Sequence, residues 1–499
     1  MRLTLNAANL AIPPWIVFSI VTLLLMPPPS RAEPVAVSVT VTNGGSGPEL
    51  APRFFGLSYE SSMLLPKAGH YYFDSHDQAL INAFHTLGIK SLRVGANAVD
   101  DPKVAVPQTQ DIDELFEFAR AVGVKVIYSF RLKNGDPTNS ARLAAYIAAH
   151  DADVLDSFSI GNEPDFYLPF FQAYIVEWKP HYDAILKAVP DAMFDGPCVG
   201  GQHSFVLDFA RLLSGDGHLA MASDHYYFLG SGRAGEKDPV ETRNRFLSEG
   251  LHRTYEKAYS NTGAKLAAEG VPYRIDELNS CYNGGAKDAS DTFASTLWAL
   301  DCIHWWAARH ILGMNFHTGE SVGRDGGFGA ANYTAFVHQA DGNGFVMRPQ
   351  AYAYLAFTQG ARGRPLALNV QTLPGLAFDA YAYQDRDDSI YVTLINKSHD
   401  RGALADLISL QLVQAGVAGT WQKMDLVQSQ QDISAKTDIS LGGAAIDSQG
   451  NWSGGWQPVA AVSGASLSVK IPPASATIVR FTPAKRAGSA FSSTEAGAE

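Results

Sequence analysis

Cysteine is scarce. Cys198, Cys281 and Cys302 are the only three in 499 residues, too few for a disulfide framework and without the spacing of metal ligands, so at most one bridge can form. Basic residues are outnumbered, 38 Lys and Arg against 50 Asp and Glu, for a formal net charge of −12. No Lys/Arg cluster interrupts that balance. An acidic surface repels nucleic acid, anionic membranes and heavily sulfated polymers, although local basic groups can still hold one carboxylate. Lys237, Arg243 and Arg245 are the candidates for such a strip. No Gly-rich phosphate fingerprint follows the first strand pattern, which argues against a dinucleotide-binding sheet.

The apolar run from Trp15 to Met26 is hemmed in by Pro13-Pro14 and Pro27-Pro28-Pro29 and is short for a bilayer. With Arg2 ahead of it and Ser30-Arg31-Ala32 behind, it reads as a signal peptide over 1–32, giving a secreted or periplasmic protein with no integral membrane association after cleavage. Cleavage would remove two arginines, Arg2 and Arg31, and no acid, moving the net charge from −12 to −14.

What is present is ordinary globular material, 46% hydrophobic and 18% charged, enough for two folded units in a chain of this length. From about residue 53 to 360, short β-branched or aromatic runs alternate with helical patterns. The strand patterns fall at 54–59, 91–95, 125–130, 156–161, 193–195, 221–227, 273–277 and 313–317. Helical periods lie at 111–122, 140–149, 170–188, 241–262 and 290–308. Eight such units predict an α/β protein whose residues 51–362 form a (β/α)8 TIM barrel, with a doubly wound open sheet as the alternative.

Beyond residue 360 the strand patterns 378–383, 389–396, 408–413, 420–426 and 466–471 are separated by Gly, Asp and Asn clusters, predicting a C-terminal β-sandwich over 363–484. The segment 33–50 contains one more alternating run, at 36–42, placed to join that sandwich. The Ala-, Gly- and Ser-rich stretch 485–499 reads as a disordered tail.

Two glutamates end strand patterns at what would be the catalytic mouth of the barrel. Glu163 lies in Ser159-Ile160-Gly161-Asn162-Glu163-Pro164 and Glu277 in Tyr273-Arg274-Ile275-Asp276-Glu277. A glycosidic bond is cut by two facing carboxyl groups, one protonating the leaving oxygen and the other attacking the anomeric carbon or activating water. Asn-Glu-Pro-Asp is also turn chemistry, and strand alternation says only that Asp276 and Glu277 point opposite ways. Trp298, Trp305 and Trp306 share a helical stretch and read as core. His225 and His317, at strand ends, read as hydrogen-bond donors rather than metal ligands, since no ligand triad accompanies them.

Asn162-Glu163-Pro164 with Glu277 resembles the clan of retaining hydrolases that carry acid/base and nucleophile on the fourth and seventh barrel strands. Within that clan the chain is most similar to glycoside hydrolase family 79, which contains β-glucuronidases and heparanases and has a C-terminal β-sandwich. The resemblance spans about residues 35 to 482 and rests on Gly56-Leu57-Ser58-Tyr59-Glu60, Leu92-Arg93-Val94-Gly95, Asp224-His225-Tyr226-Tyr227, Tyr282-Asn283-Gly284-Gly285 and Asn315-Phe316-His317. One departure is Ala96, where a second glycine is frequent.

The resemblance implies Glu163 as acid/base and Glu277 as nucleophile. It implies Tyr282, Asn283 and Gly284 as the receiver of a glucuronate carboxylate, with Tyr333 a further contact, Asn162 on the 2-hydroxyl, and Glu60, Asn97 and Tyr226 as other sugar contacts. A glycine beside a tyrosine makes physical sense there, because backbone N–H groups can approach an anion while the phenol donates one more bond.

The implied activity is a retaining exo-β-glucuronidase acting on a glucuronic-acid-containing glycan or glycoside, with no cofactor, metal or nucleic acid. The rivals are a heparanase-like endo-enzyme, a same-clan hydrolase of neutral glycosides, and a non-catalytic carbohydrate-binding protein.

Overall fold

The computed structural model describes residues 34–42, 47–233, 235–320, 330–400, 402–413 and 418–484. The signal peptide expected at 1–32 and the tail at 485–499 lie outside them. Eight parallel strands close into a barrel: β1 (Phe55–Glu60), β2 (Ser91–Gly95), β3 (Lys125–Phe130), β4 (Leu155–Ile160), β5 (Phe194–Val199), β6 (Leu219–Ser231), β7 (Tyr273–Tyr282) and β8 (Gly313–His317). Each pairs with its successor, and β8 closes the ring on β1 with Phe55 opposite Met314. Every residue of β1, β2 and β8 is buried. Strands covered by side-chain packing on one face and helices on the other have no solvent face, which is why they read as short continuous runs rather than alternations.

The helices start where side chains satisfy the first orphan N–H groups. Asp77, Asp136 and Asp238 accept from the first turns of Gln78–Thr86, Pro137–His150 and Pro239–Phe246. The periodic stretch 241–262 is two helices, Pro239–Phe246 and Gly250–Asn261, not one. Helix Phe293–Ala307 is buried along its whole length, since it packs against both helix Pro349–Gly360 and the sandwich strand Phe378–Gln384. Trp298, Trp305 and Trp306 are consumed there as core.

The sandwich has two sheets. One runs Leu368–Gln371, Val35–Val41, Asp406–Leu412, Ser466–Ile471, with the N-terminal strand parallel to Asp406–Leu412. The other contains, in order, Arg364–Leu366, Phe378–Gln384, Ile390–Asn396, Ser475–Pro483, Gly419–Gln428 and Ile439–Leu441, with Gln457–Val459 also on Gly419–Gln428. Val37, Val39, Ile408 and Leu410 of the first sheet meet Val392, Leu394, Val479 and Phe481 of the second in one core. Strand Ser475–Pro483, absent from the sequence reading, sits in the middle of the larger sheet.

A buried ionic knot joins sandwich to barrel. Lys397 Nζ lies 3.2 Å from Asp301 Oδ2 and also pairs with Asp379, while Tyr381 donates to Asp301 at 2.6 Å and His252 approaches it at 2.8 Å.

Candidate active site

The strand C-termini open on a cavity of about 940 Å³ lined by Glu60, Asn97, Asn162, Glu163, Glu277, Tyr282, Asn283, Gly284, His317 and Tyr333, among others. Glu163 follows β4 in the left-handed region, φ 44° and ψ 50°, a conformation that costs a non-glycine residue energy and persists where surroundings over-determine it. Its N–H donates to the Cys198 carbonyl at 2.8 Å, and Pro164 opens the next turn. Ala96 is also left-handed, φ 51°. The conformation that would suit a glycine is therefore kept without one.

Glu277 reaches the same cavity because β7 is bulged. Ile275 pairs with Met314 and Leu278 with Phe316, three residues along β7 against two along β8. On the other side Asp224 and His225 face Ile275 and Glu277. One extra residue lets Asp276 and Glu277, which strict alternation sends to opposite faces, both turn inward. Arg93 of β2 meets both: Nη1 donates to Glu277 Oε2 at 2.6 Å, and Nε lies 3.4 Å from Asp276 Oδ2. Arg93 Nη2 also donates to Asn162 Oδ1 at 2.8 Å. The buried Nδ2 of Asn162 has no hydrogen-bond partner among the described residues.

The pKa values of the two glutamates are moved in opposite directions. Glu277 also accepts from Tyr227 OH at 2.8 Å through Oε1. Burial pushes its pKa up, but His317, His225, Arg93 and Tyr227 outweigh burial and hold it well below the usual carboxylate range. Glu163 is moved the other way, by burial first and with Glu277's charge adding, against the pull of His225. Burial, more than the charge of Glu277, is what raises it.

His225 stands between them, Nδ1 3.1 Å from Glu163 Oε1. Burial lowers the His225 pKa, but Glu277, Asp276 and Glu163 draw it up to about 9. His317 is raised likewise: burial opposes, while Glu277 and Glu60 favour its charged form.

The loop after β7 holds three consecutive left-handed residues, Asn283, Gly284 and Gly285, at φ 59°, 82° and 79°. A Cβ on Gly285 would meet the Tyr333 ring at 2.9 Å, so that position requires glycine. The N–H groups of Asn283 and Gly284 have no partner among the described residues. Tyr282, 45% exposed, stands at the rim. Arg233 Nη2 lies 3.8 Å from where a Gly284 Cβ would be. Glu60 accepts from Ala98 N–H at 2.7 Å and faces His317 Nε2 at 3.7 Å.

Tyr226 is not in the cavity. His225 and Tyr227 face inward, so the residue between them faces out. Its ring stacks on His203 at 4.4 Å and leans on Phe228 and Trp306. Of the two tyrosines, Tyr227 lines the cavity. Arg93 and Tyr227 are further site residues to which the sequence assigned no role, although both fall in segments that carry the resemblance, and Asp276, the alternative to Glu277 in the sequence, is held beside it by Arg93. Arg243 and Arg245 do not form a basic strip: Arg245 pairs with Glu236 at 2.7 Å and Arg243 donates to the Asp288 carbonyl. All three cysteines are free and buried.

Two sets of donors, Glu163/His225/Glu277 and Cys198/His225/Asp276, each lie within 4.8 Å of one another. They share His225, and the Arg93 guanidinium already supplies positive charge beside both.

No protein-family model matches the chain. It is 24% identical over 344 residues to a β-glucuronidase of Aspergillus niger, covering 58% of this chain and 62% of the fungal protein. It is 25% identical over 309 residues to the heparanase of Mus musculus, covering 56% and 53%. The chain therefore spans little more than half the length of these relatives.

Among solved structures, a 4-O-α-L-rhamnosyl-β-D-glucuronidase from Fusarium oxysporum superposes with a TM-score of 0.68 at 16% identity, over 88% of this chain and 99% of that one. A family 51 arabinofuranosidase from Xanthomonas axonopodis pv. citri gives 0.64 at 13%, over 90% and 100%. These likenesses of fold span the barrel and the sandwich together. The sequence likeness to a β-glucuronidase and a heparanase supports a family like glycoside hydrolase family 79, and the solved structures share its fold.

Proposed function

We propose that this protein is a secreted retaining β-glucuronidase that removes terminal glucuronic acid by double displacement. The observation that carries the reading is the carboxyl pair: oxygens of Glu163 and Glu277 lie within 4.8 Å of each other in the cavity, with the pKa of Glu163 raised by burial and that of Glu277 lowered by the surrounding cations and Tyr227. Retaining hydrolases hold their carboxyl groups about 5–5.5 Å apart, whereas inverting ones leave about 6.5–9.5 Å for a water.

In the first step Glu277 attacks the anomeric carbon and forms an ester while the Glu163 proton goes to the leaving oxygen. Glycosylation then cancels the Glu277 charge, which lowers the Glu163 pKa and lets Glu163 take a proton from the water that hydrolyses the ester. Asn162 Nδ2 supplies a donor for the 2-hydroxyl. The Tyr282 hydroxyl and the N–H groups of Asn283 and Gly284, with Arg233 beside them and Tyr333 beneath, form a receiver for the sugar carboxylate.

The relatives named as a β-glucuronidase and a heparanase favour a glucuronide over a neutral glycoside. The acidic balance of the chain favours release of single sugars over internal cleavage of a polyanion.

The test is a panel of aryl β-glucuronide, β-glucoside and arabinofuranoside, with the anomer of the first-formed sugar read by NMR and an oligomer digest sized. Free β-glucuronic acid is the expected first product. An α-anomer would remove the retaining mechanism, arabinofuranoside turnover the substrate class, and internal fragments the exo action.

A further inference from the structure

Arg93, His225 and Asp276 do not line the cavity. They sit behind the two glutamates that do, each at most 1% exposed. Arg93 serves Glu277, and His225 serves Glu163 through Nδ1, yet Arg93 Nη2 lies only 3.3 Å from His225 Nε2. With His225 protonated, these are two buried cations in contact, and their repulsion is costly unless an anion faces both. Asp276 is that anion. Its Oδ2 lies 3.4 Å from Arg93 Nε, and its Oδ1 lies 3.6 Å from His225 Nε2.

The Cys198 thiol of β5 donates to Asp276 Oδ2 at 3.2 Å and fixes the carboxylate from the far side. Oδ1 makes no hydrogen bond among the described residues, so what it gives His225 is charge. The imidazole is faced by Arg93 from β2, Glu163 from the loop after β4, Cys198 from β5, and Asp276 and Glu277 from β7. On the backbone side Asp224 accepts from the His225 N–H at 3.0 Å and lies 2.9 Å from His203 Nδ1. The two glutamates cannot serve as its counter-ions throughout the reaction, because Glu163 begins protonated and Glu277 becomes a neutral ester. Of the carboxylates facing the ring nitrogens, Asp276 alone keeps its charge at every step.

We propose that Asp276 is a positioning residue for the acid/base, a permanent counter-ion that keeps the His225 imidazolium beside Glu163 in spite of Arg93. This deepens the glucuronidase reading and rests on it. A charged His225 favours the ionised form of Glu163, which makes Glu163 a stronger acid when the leaving oxygen needs its proton. Asp276 touches neither the sugar nor the reacting atoms. It acts on Glu163 through His225.

The experiment is a pH profile of kcat/KM on an aryl β-glucuronide for the full chain as wild type, Asp276→Asn, His225→Gln, the double variant and Glu163→Gln, with melting curves to confirm folding. Asp276→Asn keeps the size of the side chain and removes its charge. Acting directly, the loss of an anion would lower the Glu163 pKa and bring the basic limb to lower pH. Acting through His225, the sign reverses: the imidazole gives up its proton at lower pH, and Glu163, facing a neutral ring, keeps its own to higher pH. The basic limb should therefore move up by about one pH unit. The loss of kcat/KM should be larger on an alkyl than on an aryl glucuronide, since a weaker acid protonates a basic leaving oxygen less readily. Added to His225→Gln, the same change should leave the basic limb in place.

A basic limb that stays or moves down in Asp276→Asn overturns the proposal, as does one that still moves when Asp276→Asn is added to His225→Gln. The second comparison serves even where Asp276→Asn alone does not fold, because the double variant removes the buried cation together with its counter-ion. A double variant that does not fold either makes Asp276 a structural residue and overturns the proposal too. A wild-type basic limb in Glu163→Gln overturns the acid/base assignment, and absence of wild-type turnover overturns the glucuronidase reading itself, so these failures are told apart from that of Asp276.

Discussion

Replacing Tyr227 by Phe deletes one hydroxyl and tests how the nucleophile is kept ionised. Glu277 has one donor on each oxygen, Tyr227 OH on Oε1 at 2.8 Å and Arg93 Nη1 on Oε2 at 2.6 Å. Its side chain is only 2% exposed, so water does not replace the lost donor. A hydrogen bond to a charged group contributes about 1.5–3 kcal/mol, and this one favours the ionised carboxylate alone. At about 1.36 kcal/mol per pKa unit, Tyr227→Phe should raise the Glu277 pKa by about one to two units.

The sign follows from the requirement that Glu277 be ionised to attack. Its pKa is depressed in the folded enzyme, so activity persists as pH falls until that pKa is reached. Raising it brings the acid limb of kcat/KM to higher pH. The basic limb belongs to Glu163, whose pKa burial raises; Tyr227 makes no hydrogen bond to it, so that limb should stay. The assay is a pH profile of kcat/KM on an aryl glucuronide, with melting curves to confirm folding. An acid limb that does not move in an active variant, or moves to lower pH, would refute the reasoning.

Three further outcomes are expected. Glu277→Ala should abolish turnover of every substrate, whereas Glu163→Ala should keep more activity on aryl glucuronides whose leaving group needs no proton; a mechanism-based fluorosugar should label Glu277, and labelling of Asp276 would reverse the assignment. Aryl glucuronide should be preferred over the glucoside by about 1–3 kcal/mol for each carboxylate donor left unpaired, so equal kcat/KM on the two would mean that Tyr282, Asn283 and Gly284 serve another purpose. Lys397→Met should lower unfolding free energy by about 3–5 kcal/mol, since it leaves buried Asp301 and Asp379 with only the partly exposed His252 between them; a denaturant curve matching wild type would show that the ionic knot does not hold the sandwich to the barrel.

Sequence alone was enough for the barrel, because eight strand patterns separated by helical periods admit few architectures. It also placed Asn162-Glu163-Pro164 at the end of the fourth strand, since buried Phe158 and Ile160 run directly into it. Local signals reach this far because periodicity and turn chemistry are properties of neighbouring residues. Strand Ser475–Pro483 escaped because only its pairing with Ile390–Asn396 and Gly419–Gln428 defines it.

Which side chains face the sugar was decided by tertiary structure. Asp276 and Glu277 both turn inward only because β7 carries an extra residue relative to both its neighbours, and Tyr227 rather than Tyr226 meets Glu277 because of the phase of β6. Arg93, His225 and His317 lie far apart in the chain, and each sets the charge of a glutamate only through barrel closure. The same holds for charge at large: a net −12 argues against anionic partners, but the fold brings Lys103 and Lys133 into the lining of the cavity. Composition averages over the whole surface, whereas a ligand responds to the few charges within a Debye length of it.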